Sequence, residues 1–205
     1  MENGFFYGKL PTEDIRLNPA ELAARLQTEK GFSNDLIEKC EGALRAAMDC
    51  RYAARKIVLS FPREDVVDLG FARAESHSLY RNLNGCREGF VMAVTIGIGT
   101  ERLLNRLSLL SDAEHFITDA LASAAVEAVC DRAEEIIKGE LVCRPRFSPG
   151  YGDLSLELQP KLLAMVEGQK LLGITLSNSL LMSPMKSITA IMGVCHEEHP
   201  RRTEK

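Results

Sequence analysis

The 205 residues carry 25 basic against 29 acidic side chains, a formal charge of −4, and are 45% hydrophobic. That is enough apolar material for one substantial core and too little chain for several domains of ordinary size, and without a long basic run the composition disfavours nucleic acid as a partner. No apolar run approaches the roughly 20 residues that span a bilayer, and the opening MENGFFYGKLPTED has no basic n-region leading into an apolar h-region, so the expectation is a cytoplasmic protein with no membrane partner.

In chain order, residues 19–30 read as a helix, and residues 34–56 repeat apolar side chains at Leu36, Ile37, Cys40, Ala43, Leu44, Ala47 and Met48, the spacing of one amphipathic helix. Residues 56–61 and 66–71 are short and β-branched, bounded by turn residues or proline, and read as strands. A short helix over 75–83 follows. The continuous apolar run Phe90-Val-Met-Ala-Val-Thr-Ile96 predicts a strand inside a sheet, with a helix starting near Thr100. The longest helix is predicted over 112–138 and closed by Gly139. Then come a helix over 156–166, a strand over 172–176 and a strong strand over 187–194. The expected architecture is a single α/β (α+β) domain over 1–205, with a twisted, largely antiparallel or mixed sheet flanked by long helices. Residues 1–18 and the charged 196–205 read as peripheral tails.

Six cysteines (Cys40, Cys50, Cys86, Cys130, Cys143, Cys195) form no CxxC pair, and several fall on apolar helix faces, which suits reduced thiols better than a disulfide framework or a zinc site; no metal is expected. Thr95-Ile-Gly-Ile-Gly-Thr100 places two glycines between a strand and a helix, where backbone amides can meet a phosphate. The third glycine of the dinucleotide fingerprint is replaced by Arg102, so a tight turn is the better reading. His196-Glu-Glu-His199 has its histidines three apart instead of four and belongs to the charged tail. On the alanine-rich helix, Asp119 and Glu127 lie eight positions apart, about 80° around the axis, so both can border one cleft. Salt bridges to neighbouring elements are the simpler account of both.

The densest chemistry is Arg144-Pro-Arg-Phe-Ser-Pro-Gly-Tyr-Gly-Asp153. Its prolines restrict the backbone, its glycines allow close approach, Arg144 and Arg146 offer planar donor forks, and Tyr151 offers a flat face with one hydroxyl. Such a loop suits a small carboxylate-bearing ligand, with Asp153 answering an amino group or structuring the loop. A turn pinned by arginine-to-backbone hydrogen bonds suits it equally well.

Arg146-Phe-Ser-Pro-Gly-Tyr151 resembles the Arg-x-x-x-Gly-Tyr signature of the activation (reactivation) domain of cobalamin-dependent methionine synthase, and Gly150-Tyr-Gly-Asp153 is similar to the stand-alone proteins related to that domain. Residues 176–190 are similar to the family's second block, with Ser179, Met182, Pro184 and Ser187 in place, and the helix from Asp119 to Glu127 fits its alanine-rich helix. The likeness runs from about Phe90 to Val194. It implies a stand-alone activation subunit, a methyltransferase component of methionine biosynthesis. Such a subunit binds S-adenosylmethionine and supports reductive remethylation of cob(II)alamin on a partner, which is a corrinoid protein or the methionine synthase catalytic subunit, with electrons from flavodoxin or a similar donor. On that resemblance Arg146 holds the methionyl carboxylate and Ser148 contacts the ligand through its backbone. Pro149 and Gly150 shape the loop, Tyr151 lines the junction with the corrin, and Glu127 and Asp153 join the ligand-binding set. The chain departs from the family at Gly152-Asp-Leu-Ser155, where the fused enzyme resembles Pro-Ala-Cys-Pro, and at Asn178, where the family often has glutamate. Its early part shows no acidic residue matching the one that receives the ligand's amino group. Two alternatives therefore stand: a corrinoid-docking module that no longer binds the methyl donor, or a methyltransferase with another acceptor.

Overall fold

The computed structural model describes residues 4–18, 22, 26 and 31–195. Its centre is a four-stranded, wholly antiparallel sheet of β1 (Phe5–Lys9), β2 (Arg51–Val58), β6 (Glu88–Thr95) and β9 (Ser187–Gly193), in the order β1-β2-β6-β9. The apolar run in β6 is explained by burial on both faces. Phe90, Met92 and Val94 point into one hydrophobic cluster, and Val91 and Ala93 into the other.

On the first face lie α1 (Asn34–Ala47), α3 (Ile98–Leu110) and α4 (Asp112–Lys138). Helix α4 buries mainly small residues, among them Ala122, Ala124, Ala125 and Ala133, which lets its backbone approach its neighbours closely. It begins where the Ser111 hydroxyl accepts the Glu114 amide and ends at Gly139, whose φ of 53° supplies the left-handed turn. On the second face lie a small antiparallel sheet of β3 (Ser60–Arg63), β4 (Val66–Asp68) and β5 (Arg73–Glu75), together with α2 (His77–Leu83), α5 (Gln159–Met165) and α6 (Gly168–Leu172). A hairpin of β7 (Thr175–Leu176) and β8 (Met182–Ser183) closes one end, followed by a cis Ser183–Pro184 peptide. No described helix is long and apolar enough to cross a membrane.

Several expectations are corrected. The amphipathic helix stops at Ala47, because Tyr52 and Ala54 are needed on one face of β2 and Ala53 and Ile57 on the other. The predicted strand over 66–71 ends at Asp68, whose carboxylate accepts the Gly70 amide and turns the chain into β5. Residues 168–172 are helical, leaving a two-residue strand at Thr175–Leu176. Within the stretch expected to be a tail, residues 4–18 pack on the domain. They supply edge strand β1, bury Leu10 and Ile15, and are held by Arg45, which donates to the Thr12 carbonyl at 2.7 Å. The helix expected over 19–30 lies almost wholly outside the described residues, as does the 196–205 tail with its two histidines.

The Gly97/Gly99 turn has a steric origin. A Cβ at Gly99 would sit 2.3 Å from the Ala47 carbonyl oxygen, and one at Gly97, where φ is 85°, would lie 2.9 Å from the Asp49 Cβ. The glycines let the start of α3 pass the end of α1.

Candidate ligand-binding site

After α4 the chain returns along β9. The Arg144 amide donates to the Gly193 carbonyl at 2.8 Å, and Phe147 and Ile191 exchange two backbone bonds of 2.9 Å, so residues 143–147 run beside β9, joined to it by isolated bridges. The loop then tightens. The Tyr151 amide donates to the Ser148 carbonyl, the Gly150 amide to the Leu154 carbonyl, and Gly150 and Gly152 take φ of 90° and 56°. A Cβ at Gly152 would fall 2.7 Å from the Ser78 Oγ.

Asp153 turns away from the loop's interior. Its carboxylate accepts the Ser76 hydroxyl at 2.6 Å, the His77 amide at 2.7 Å and the Ser78 amide at 3.1 Å, at the start of α2. The Ser76 hydroxyl bond, reinforced by these amides, holds its carboxyl well below the usual carboxylate range. It structures the loop and does not line the cavity described next.

That cavity, about 580 Å³, lies between the loop, α4 and the β8–β9 region. Arg146, Ser148, Pro149 and Tyr151 line it from the loop, Glu127 from α4, Met182 from β8 and Ile188 from β9. The structure thus brings together five of the seven residues singled out in the sequence, leaving Gly150 and Asp153 as supports. Tyr151 is 68% exposed at the mouth.

The Arg146 guanidinium faces a stripe of acids on α4. Nη1 lies 2.7 Å from Asp131 and 2.9 Å from Glu134, and Nη2 lies 3.5 Å from Glu127. Positions 127, 131 and 134 follow helical i, i+4, i+7 spacing and share one face. Burial works against the arginine's charge, and the negative groups around it outweigh that and raise its pKa. Sequence reasoning missed Asp131 and Glu134, although their spacing from Glu127 on a correctly placed helix was a usable signal. Met182, part of the 176–190 block, also lines the cavity, as does Asn82, which nothing local marked.

Asp119 is paired as well. Lys186 Nζ lies 2.7 Å from its carboxylate and donates to the Ser123 hydroxyl at 2.8 Å. Glu101 accepts the Met185 amide at 3.0 Å, so two acids clasp the segment leading into β9.

Among the described residues no cysteine and no histidine lines the cavity. Cys130 is buried in α4, and burial pushes its thiol up to about 12, which keeps it neutral. Among the described residues no group of three or more His, Cys, Asp or Glu is arranged to hold a metal ion. The cavity offers a cation, carboxylate and apolar walls.

No family model and no curated protein matches the chain. Among the solved structures, 13 chains match. One is the MetH reactivation domain bound to AdoHcy, with a TM-score of 0.64 and 16% identity over 99% of this chain and 81% of that one. The fold is that of the MetH reactivation domain. The likeness to the MetH domain extends through the residues before Phe90, where the sequence blocks carry no information. It bears out the resemblance drawn from the Arg146–Tyr151 and 176–190 blocks, at the level of fold.

Proposed function

We propose that this chain is a stand-alone counterpart of the reactivation domain. It binds S-adenosylmethionine in the cavity beneath the 144–153 loop and serves a partner protein that carries cobalamin. The observation that carries this reading is the convergence of Arg146, Ser148, Pro149, Tyr151 and Glu127 on one cavity, in a fold shared with a domain solved with AdoHcy.

The residues fit the ligand class. The cavity volume is in the range of small-molecule sites. Met182, Ile188 and Pro149 give apolar walls, and Tyr151 gives a flat face. Arg146 is the fork for a carboxylate, with Glu127 and Asp131, 40% and 67% exposed, able to swing aside. Arg146 and Lys138, which pairs with Glu134 at 3.2 Å, face three carboxylates, an excess of one negative charge that suits an ammonium or sulfonium group. When bound, the ligand supplies an activated methyl group and the partner's corrinoid the acceptor. This chain holds the donor's orientation, excludes water and presents Tyr151 at the open side. Electrons for reductive remethylation come from a flavodoxin-like or other donor.

One observation favours the docking-module alternative: Arg146 already has three carboxylate partners, so a ligand carboxylate must displace at least one. Calorimetric titration of S-adenosylmethionine into the purified protein decides. Binding that weakens roughly 10-fold or more in Arg146→Ala supports the donor site. An absence of heat at millimolar ligand, with retained affinity for a cobalamin-loaded partner domain, overturns it in favour of docking alone.

A further inference from the structure

The two edges of the central sheet are finished differently. Beyond β9, residues 143–147 run alongside and bridge it at Cys143–Val194 and Phe147–Ile191. Beyond β1 no further strand follows among the described residues. The Gly4 carbonyl accepts the Lys56 amide at 2.7 Å, and the Leu10 amide donates to the Cys50 carbonyl at 2.9 Å, so in this register the even-numbered residues turn their backbone groups to β2. The amides and carbonyls of Phe5, Tyr7 and Lys9 therefore point out of the open side, and no described backbone group bonds them. Such edges are ordinarily blunted by proline, a bulge, shortness or charge. Strand β3 carries Pro62, and β5 is three residues long. Strand β1 has no proline, its register with β2 is unbroken over five residues, and the charge of its one cation, Lys9, is answered by Asp49 at 2.8 Å. Tyr7 is 64% exposed, and its ring lies 5.8 Å from that of Phe5.

We propose that the open edge of β1 pairs with the same edge of a second copy of this chain, antiparallel about a two-fold axis at Tyr7. The outward set of Phe5, Tyr7 and Lys9 is symmetric about its middle member, which makes a second copy its own complement. Phe5 of each copy then stands opposite Lys9 of the other, and Tyr7 opposite Tyr7, so each outward amide meets an outward carbonyl. The two tyrosines become cross-strand neighbours on one face and lose exposed area together. Both copies share one continuous antiparallel sheet. The ligand cavity lies against β9, at the opposite edge, so this pairing leaves it open in each copy. Two five-residue strands bury little surface against each other, so the dimer is of the weak kind that forms and dissociates with concentration.

The test is sedimentation velocity of the purified protein from about 1 to 500 μM, with hydrogen exchange of residues 4–10 at both ends of that range. The mass is expected to rise from that of one chain, 22.7 kDa, toward twice that value. The amides of Phe5, Tyr7 and Lys9 are expected to be protected at the high concentration and unprotected at the low one. Tyr7→Pro removes the central outward amide while sparing the hydrogen bonds to β2, and should move the dimerisation midpoint at least about 10-fold upward. Tyr7→Lys sets two ammonium groups across the axis and should do the same, which covers the case in which the proline variant folds poorly. A wild type that keeps the mass of one chain throughout overturns the proposal, as does a dimer that neither variant weakens. Protection that persists on dilution means that another part of the same chain occupies the edge, and overturns it too.

Discussion

The carboxylate of Asp153 sits on the N-terminus of the helix that opens at His77, accepting that residue's amide at 2.7 Å and the Ser76 hydroxyl at 2.6 Å. A residue that reads as part of a ligand loop is thus a remote cap. Because its pKa is depressed in the folded state, it contributes stability at pH above the ordinary aspartate value of about 3.9, and that contribution is lost as pH falls through and below that value. Asp153→Asn is expected to lower the melting temperature near neutral pH. Its deficit against wild type should shrink as the solution is acidified below about pH 4, which thermal melts across pH would show.

Arg146→Ala is expected to act twice. It leaves Glu127 and Asp131 without their cation and Glu134 with Lys138 alone, for a loss of about 1–2 kcal/mol, between the values typical of exposed and buried pairs. On the proposed function it also removes the fork for the ligand's carboxylate. Arg146→Lys should recover part of the stability and little of the affinity, since an ammonium cannot bind a carboxylate in bidentate fashion. Urea melts and calorimetry on the same two proteins separate the effects.

Lys186 is 15% exposed and pairs with Asp119, so Lys186→Met is expected to cost about 1–3 kcal/mol by leaving that carboxylate without its cation, while the Ser123 hydroxyl keeps its bond to the Asp119 carbonyl at 2.9 Å. Restoring neutrality with Lys186→Met/Asp119→Asn should recover a measurable share. A double-mutant cycle reads the coupling directly.

Gly99→Ala places a methyl group 2.3 Å from the Ala47 carbonyl oxygen. The expected destabilisation is about 1–3 kcal/mol, the usual range for overpacking. Ligand affinity at the 144–153 loop should be unchanged, because this turn serves the packing of α1 against α3. A loss of affinity at unchanged stability would instead point to a phosphate-binding role.

The strand at Phe90 and the helix over 112–138 were legible because their patterns are strong and local. The overrun of the first helix past Ala47 has the opposite cause. Arg51-Tyr-Ala-Ala-Arg-Lys56 suits a helix by composition, and pairing with β1 and β6 overrides it. The loop's concentration of Arg, Pro, Gly and Tyr was enough to mark the cavity. What the loop residues do individually was not, since the partners of Arg146 and Asp153 lie on α4 and at the start of α2, and only the fold brings them together. The same limit hid the pairing of Lys186 with Asp119.

The antiparallel bonding of Phe147 to Ile191 gives the loop a property that loops seldom have. Its entry is bridged to the edge strand β9 and its exit is fastened to α2 through Asp153, so it is held at both ends against a swinging motion. The conformational entropy of ordering it is surrendered when the chain folds, before any ligand arrives. Amide hydrogens at Arg144 and Phe147 should therefore exchange with solvent at rates set by global unfolding, and ligand association should proceed without a slow closing phase.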